Sequence, residues 1–171
     1  MFSTQTYQAG TYGKVYRGVS SKTGSTRTVA IKFADISDQL TFDRELEVYA
    51  KLAKHPHPNL CKLLTYRHMA RTACLIFESA LMDLREFMSA GQLSPALVPT
   101  ASLHMAQGIF ALHSHHIIHR DLKPNNILVN VTWSGPVFQI ADFGTARISG
   151  STMAPGTTNT LAEMTPGFAR T

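Results

Sequence analysis

At 171 residues the chain can bury one sizeable core, and a content of 44% hydrophobic and 16% charged residues excludes a disordered polyelectrolyte. No apolar run approaches the roughly 18 residues that span a bilayer, and Met1 to Tyr7 has neither the basic region nor the apolar core of a secretory signal, so a soluble chain in the cytoplasm or nucleus, away from membranes, is expected. The formal charge of +5 suits an acidic partner such as a phosphate, but Lys and Arg are scattered rather than gathered into a stripe with aromatics, which argues against nucleic acid.

From Tyr7 to Phe33 the pattern predicts three antiparallel strands, with a glycine-containing turn at Ala9 to Gly13, alternation through Val15 to Val19, a second turn at Lys22 to Ser25 and an apolar run from Thr28 to Phe33. Phe42, Leu46, Tyr49 and Ala53 then recur on one face of a helix that ends before Pro56. After His57-Pro58-Asn59, the runs Leu60 to Tyr66 and Ala73 to Phe77 predict two more strands, so residues 1–80 read as a sheet with one helix. Asp83 to Ser89 predicts a short helix, and Ala101 to His113 a longer one with Leu103, Ala106, Phe110 and His113 at helical spacing. Strands over Asn126 to Val131 and Val137 to Ala141 flank a turn at Trp133 to Pro136, and a tail rich in Ser, Thr, Gly and Pro follows from Ser149. Cys61 and Cys74 have no metal-ligand spacing and read as small buried hydrophobes in a reducing compartment. His113, His115, His116 and His119 lack the Cys or carboxylate pair that would complete a tetrahedral metal site, so a helix end leading into a loop is the simpler reading.

Four short motifs follow one another in fixed order. Gly10-Thr11-Tyr12-Gly13-Lys14-Val15 is a turn whose missing side chains let backbone N–H groups approach phosphate oxygens. Val29-Ala30-Ile31-Lys32 places a lysine on a predicted strand, where it could hold phosphates as a point charge. Arg44-Glu45-Leu46-Glu47 offers two glutamates as its partner; Glu45 lies one turn before Tyr49 on the inward side, and Glu47, the alternative, points away from that face. His119-Arg120-Asp121-Leu122-Lys123-Pro124-Asn125-Asn126 and Asp142-Phe143-Gly144 complete the series.

With these motifs the sequence resembles the eukaryotic-type protein kinase family from Tyr7 nearly to its end. Gln8 stands where that family's pattern carries a further glycine. The resemblance implies an α+β, two-lobed fold: an antiparallel β-sheet N-lobe with one helix over residues 1–80, and a mainly helical C-lobe from residue 81 that is truncated within the activation segment. It further implies ATP and Mg2+ as cofactors, a protein Ser/Thr hydroxyl as acceptor, and the Ser/Thr rather than Tyr type because Lys123 stands in Asp121-Leu122-Lys123-Pro124. Asp121 would orient and deprotonate the hydroxyl, Lys123 would steady the transferred phosphoryl, and Lys32 with Glu45 would hold the α- and β-phosphates. Asn126 and Asp142 would ligate Mg2+, a hard cation that prefers oxygen donors.

By the same resemblance Gly10 and Gly13 would cover the phosphates, Val15, Ala30 and Leu128 would sandwich the adenine, and the backbone of Phe77, Glu78, Ser79 and Ala80 would meet the purine edge. Leu63, Tyr49, Phe143 and His119 would stack as a spine, with Tyr49 at a position more often aliphatic. Leu75 to Met88 resembles cyclin-dependent and related kinases in particular, although the helix before Arg44 lacks their cyclin-docking sequence. Thr157, Thr158, Thr160 and Thr165 lie where a regulatory phosphate could pair with Arg120. Thr165 to Arg170 resembles the approach to an Ala-Pro-Glu anchor, and the sequence stops at Thr171, so an uncovered apolar underside of the helical lobe is expected to favour a regulatory partner or instability. A nucleotide-binding or regulatory module without phosphotransfer is accordingly the rival reading.

Overall fold

A computed structural model describes residues 5–10, 13–22, 25–35, 39–68 and 72–149, with side chains for 15–20, 26–34, 41–68 and 72–149. Strands β1 (Gln5–Gly10), β2 (Gly13–Lys22), β3 (Ser25–Asp35), β4 (Leu63–His68) and β5 (Thr72–Glu78) form an antiparallel sheet in the order β1-β2-β3-β5-β4. The two-residue period of β5 divides its side chains between two apolar clusters. Ala73, Leu75 and Phe77 join the main core, while Cys74 and Ile76 pack with Val29 and Ile31 in a second cluster. Helix α1 (Gln39–Lys54) covers the first face with Phe42, Leu46 and Tyr49, as its periodicity predicts. Ala53 departs from that face and is exposed.

Leu60 and Cys61 were expected at the start of a strand but lie outside β4. Leu60 makes an isolated parallel bridge to Ile140, and the Cys61 N–H donates to the Ile140 carbonyl, so this loop is bonded to the second half of the chain instead of to the sheet. The buried Asn59 adds to the connection by donating from Nδ2 to the Phe138 carbonyl. Both cysteines are buried and unpaired. Burial pushes the Cys61 thiol up to about 12, which makes it unreactive.

The second half contains β6 (Met82–Asp83), α2 (Leu84–Ser89), α3 (Val98–Ser114), β7 (Ile117–Ile118), β8 (Ile127–Thr132), β9 (Gly135–Ile140) and β10 (Arg147–Ile148). Its strands form a β6-β8-β9 sheet and a β7-β10 pair. Asp83, expected to be the first helical residue, is instead the N-cap of α2. Its carboxylate accepts from the Glu86 N–H at 2.8 Å while Glu86 accepts from the Asp83 N–H, which makes a capping box. The other Asp83 oxygen takes Asn125 Nδ2 at 3.2 Å, so the cap also anchors the loop before β8. Asp83→Ala should cost about 0.5–2 kcal/mol, the range for losing a cap, read as a lower urea midpoint with an unchanged slope.

Helix α3 turns a different face inward from the one its apolar spacing suggests. Leu103, Ala106, Phe110 and His113 all lie on the exposed side, with Leu103 at 55% and Phe110 at 75%, whereas Ala101, Gly108 and Leu112 are buried. The close approach of the Asn59 loop and β9 decides the matter. A Cβ on Gly108 would lie 2.9 Å from the Asn59 carbonyl oxygen and 2.9 Å from Ile140 Cδ1, so a glycine is needed where helix, loop and strand meet. Gly108→Ala should therefore destabilise the protein, because overpacking costs about 1–3 kcal/mol against roughly 1 kcal/mol gained in helix propensity. Thermal melting should show a fall in Tm; a rise would mean that the Asn59 loop yields.

Candidate active site

The register of the large sheet places Lys32 opposite Val15 on β2 and Leu75 on β5. From there its Nζ donates to Glu45 Oε1 at 2.8 Å and Oε2 at 3.0 Å, and to Asp142 Oδ1 at 2.8 Å. Glu45, and not its neighbour Glu47, is the residue that α1 presents to this lysine. Lys32 and Glu45 are buried, at 8% and 4% exposed. Burial alone would push the Lys32 ammonium down, but Glu45 and Asp142 outweigh it and hold the group above the ordinary lysine value. Glu45 is pushed up by burial, and Lys32 draws it back only in part.

Asp142 stands at φ 63° and Arg120 at φ 70°, so each aspartate-containing motif holds one non-glycine residue in the left-handed region. Such backbone persists only where the surroundings over-determine it. Around Arg120, Nε donates to the Thr145 carbonyl at 2.7 Å and the Thr145 hydroxyl donates to the His119 carbonyl at 3.1 Å. The buried His119 ring bonds the Ala141 carbonyl through Nε2 at 3.0 Å and accepts the Asp121 N–H at Nδ1, a pattern the neutral Nε2–H tautomer satisfies. Both motifs are thereby fixed to one another through their main chains.

Asp121 Oδ2 accepts from Lys123 Nζ at 2.7 Å and from Asn126 Nδ2 at 3.1 Å. The Lys123 hydrogen bond, ahead of the other contributions, holds the Asp121 carboxyl below its usual value. Asn126 Nδ2 also donates to the Asp121 carbonyl, so both bonds use the amide nitrogen and leave Oδ1 as the acceptor end. The Asn126 carbonyl receives the Ala141 N–H at 2.9 Å, which sets Asn126 beside the residue preceding Asp142.

Tyr49 lies at the centre of an aromatic column. Its ring centroid is 5.3 Å from Phe77 and 5.1 Å from Phe143, and Phe143 is 5.4 Å from His119. Leu63 is buried in the same core. The other sequence-predicted positions are spread around these groups. Gly10 and Gly13 pair across the end of the β1–β2 hairpin, and Gln8 pairs with Val15 beyond an irregularity in that ladder. Thr11 and Tyr12 lie outside the described residues. Val15 and Ala30 are half-buried on β2 and β3, and Leu128 is half-buried on β8 opposite Asp83. Phe77 and Glu78 close β5, and Ala80 is half-buried in the segment leading to β6.

Thr157, Thr158, Thr160 and Thr165 are also outside the described residues. Arg120, however, has cationic company that sequence reasoning missed: Arg147 on β10 is lowered by desolvation and then by Arg44 and Arg120. The pairing of β10 with β7 and the packing of α1 against β10 create this neighbourhood, and strands of two residues leave no periodic signal. Among the histidines, His115 stacks on His55 with centroids 4.1 Å apart while His119 is inside the core. Among the described residues no group of three or more His, Cys, Asp or Glu could hold a metal ion. No helix among them is long and apolar enough to cross a membrane.

A five-stranded antiparallel sheet with one helix ion-paired to it, joined to a smaller α/β region that carries a looped Asp-Lys-Asn cluster, defines a kinase-like α+β fold. A sequence model of the protein kinase domain matches residues 6–169, and the chain belongs to that family. That family consists of phosphotransferases that generally use ATP and Mg2+ and act on proteins.

Proposed function

We propose that the chain is a Ser/Thr protein kinase that transfers the ATP γ-phosphoryl group to a protein Ser or Thr hydroxyl, most similar in pattern to cyclin-dependent-like kinases. One observation carries the reading: Lys32 Nζ lies 2.8 Å from both Glu45 and Asp142. A buried ammonium shared by two carboxylates from different parts of the chain supplies a fixed point charge that phosphate oxygens can meet.

The donor set fits the cofactors. Mg2+ is usually held by one or two protein oxygens together with substrate phosphates, and Asp142 with the Oδ1 end of Asn126 supplies that number without a closed protein cage. When bound, MgATP supplies an electrophilic phosphorus whose developing charge is neutralised by the metal. Asp121, held ionised by Lys123, would accept a hydrogen bond from the substrate hydroxyl, orient it and take its proton as the hydroxyl oxygen bonds to the γ-phosphorus and the bond from that phosphorus to the β,γ-bridging oxygen breaks, releasing ADP. Lys123, 2.7 Å from that carboxylate, supplies positive charge beside the moving phosphoryl. Lys32, fixed by Glu45, holds the phosphates, while the half-buried Val15, Ala30 and Leu128 offer apolar surface to the adenine. Lys123 following Asp121-Leu122 supports Ser/Thr over Tyr specificity. A phosphate on one of the activation-segment threonines would find Arg120 with Arg44 and Arg147.

A second reading, a nucleotide-binding module that acts through a partner, is favoured by the exposed Leu103 and Phe110 on α3. Incubation with labelled MgATP and a basic protein substrate separates the two. Incorporation into Ser or Thr that Asp121→Asn and Lys32→Met both lose supports the kinase. Nucleotide-dependent thermal stabilisation without incorporation supports the module.

A further inference from the structure

We propose that Thr145 is a positioning residue, its hydroxyl setting the peptide before Arg120 and with it the placement of Asp121. Strands β7 and β10 pair antiparallel, with Ile118 opposite Arg147. Continued in register, that ladder would bring Arg120 opposite Thr145, but Arg120 stands at φ 70° and turns the main chain out of it. Side-chain bonds replace the ladder at that point. The Thr145 hydroxyl donates to the His119 carbonyl at 3.1 Å, and Arg120 Nε donates to the Thr145 carbonyl at 2.7 Å. Beyond Arg120, the Asp121 N–H donates to His119 Nδ1 at 3.3 Å. The left-handed residue is thus held before it, after it and through its own side chain.

Thr145 is the fixed member of this set. It lies in a turn closed by the Ala146 N–H on the Phe143 carbonyl at 3.0 Å, and Phe143 and Ala146 are both buried in the core. Arg120 is exposed, so hydrogen bonds rather than packing keep its backbone in the left-handed region. The Arg120 side-chain bond is open to water, whereas the Thr145 hydroxyl bond is partly buried and competes less with solvent. Loss of that hydroxyl would free the His119–Arg120 peptide to turn, and Asp121 follows directly after it.

The inference rests on the reading of Asp121 as the group that takes the substrate proton, and its test separates the two. Thr145→Val keeps the shape and removes the donor, while Thr145→Ser keeps the donor and removes a methyl group. Thr145→Val should lower kcat roughly 2- to 13-fold, the range that corresponds to one neutral hydrogen bond. KM for ATP should not change, because the hydroxyl bonds the loop that carries Asp121 rather than Lys32, Asn126 or Asp142. Thr145→Ser should keep most of the turnover, the reverse of what a packing role would give. In an Asp121→Asn background Thr145→Val should add no further loss, since the two act through one group. Steady-state kinetics with labelled MgATP and a basic protein substrate reads these quantities. Wild-type turnover in Thr145→Val, turnover of Thr145→Ser as low as that of Thr145→Val, or fully additive losses with Asp121→Asn would overturn the proposal.

Amide hydrogen exchange on the nucleotide-free chains decides the same point without activity. The Asp121 N–H should exchange faster in Thr145→Val, by a similar factor, and at the wild-type rate in Thr145→Ser. Equal rates in wild type and Thr145→Val would remove Thr145 from this role. A wild-type chain that transfers no phosphoryl group would count against the proposed function, and the exchange rates would still decide what Thr145 does.

Discussion

Asp121→Asn should lower turnover about 10²- to 10⁴-fold, the contribution typical of a positioned acid or base, with ATP affinity nearly unchanged. The substitution preserves shape and removes charge. Asp121 Oδ2 serves both Lys123 Nζ and Asn126 Nδ2, and an amide in its place can neither draw the ammonium nor accept the hydroxyl proton. Folding should be almost unaffected, because the Asp121–Lys123 side chains are 29% and 37% exposed and ion pairs of that exposure contribute only about 0–1 kcal/mol. The carboxyl is held below its usual value, so it is already ionised throughout the neutral range and the acid limb of the pH–rate profile should not come from this group above about pH 4. Steady-state kinetics with a separate nucleotide titration checks the split. A variant retaining more than a tenth of wild-type turnover would remove Asp121 from the chemistry.

Much of the arrangement around Asp121 was legible in the sequence, because short-range spacing governs it. Five residues separate Asp121 from Asn126, and a single turn of 3-10 helix at Pro124–Asn126 suffices to bring the amide back to the carboxylate. The choice of Glu45 over Glu47 likewise followed from helical geometry, since Phe42, Glu45 and Tyr49 project from one side of α1. Helix α3 shows where such reasoning stops. Its spacing pointed to the face of Leu103, Ala106, Phe110 and His113, whereas the inward face was decided by the approach of the Asn59 carbonyl to Gly108, a contact between residues almost fifty positions apart. The Arg44, Arg120 and Arg147 neighbourhood was hidden for the same reason: it exists only after α1 has been laid against the second half of the chain. Asp83 was misassigned by one position because a capping aspartate and a first-turn aspartate look alike without φ and ψ.

Lys32→Met should destabilise the protein by about 3–5 kcal/mol at neutral pH, since removing one partner of a buried ion pair leaves the other charge uncompensated. Glu45, 4% exposed, would be that charge, with Asp142 nearby to aggravate it. The loss should depend on pH with a definite sign. Burial already raises the folded-state value of Glu45, and without the lysine that draws it down it would rise further above the unfolded value of about 4.3. A raised carboxyl favours folding fully only below its unfolded value, so the variant should be least impaired near pH 4 and lose stability as pH climbs through the folded value. In the wild type Glu45 is raised less, because Lys32 draws it back, and Lys32 is itself raised, so its contribution is present below the unfolded lysine value of about 10.4 and lost only as alkaline pH passes the folded one. The gap between the two proteins should therefore widen from pH 4 to pH 7. Adding Glu45→Gln to Lys32→Met should recover most of the loss at pH 7 and flatten the pH dependence, because a neutral amide needs no counter-charge. Urea unfolding of the three chains across this range measures both effects, and a constant gap, or a double variant no more stable than the single, would show that Lys32 stabilises the fold by packing rather than by its charge.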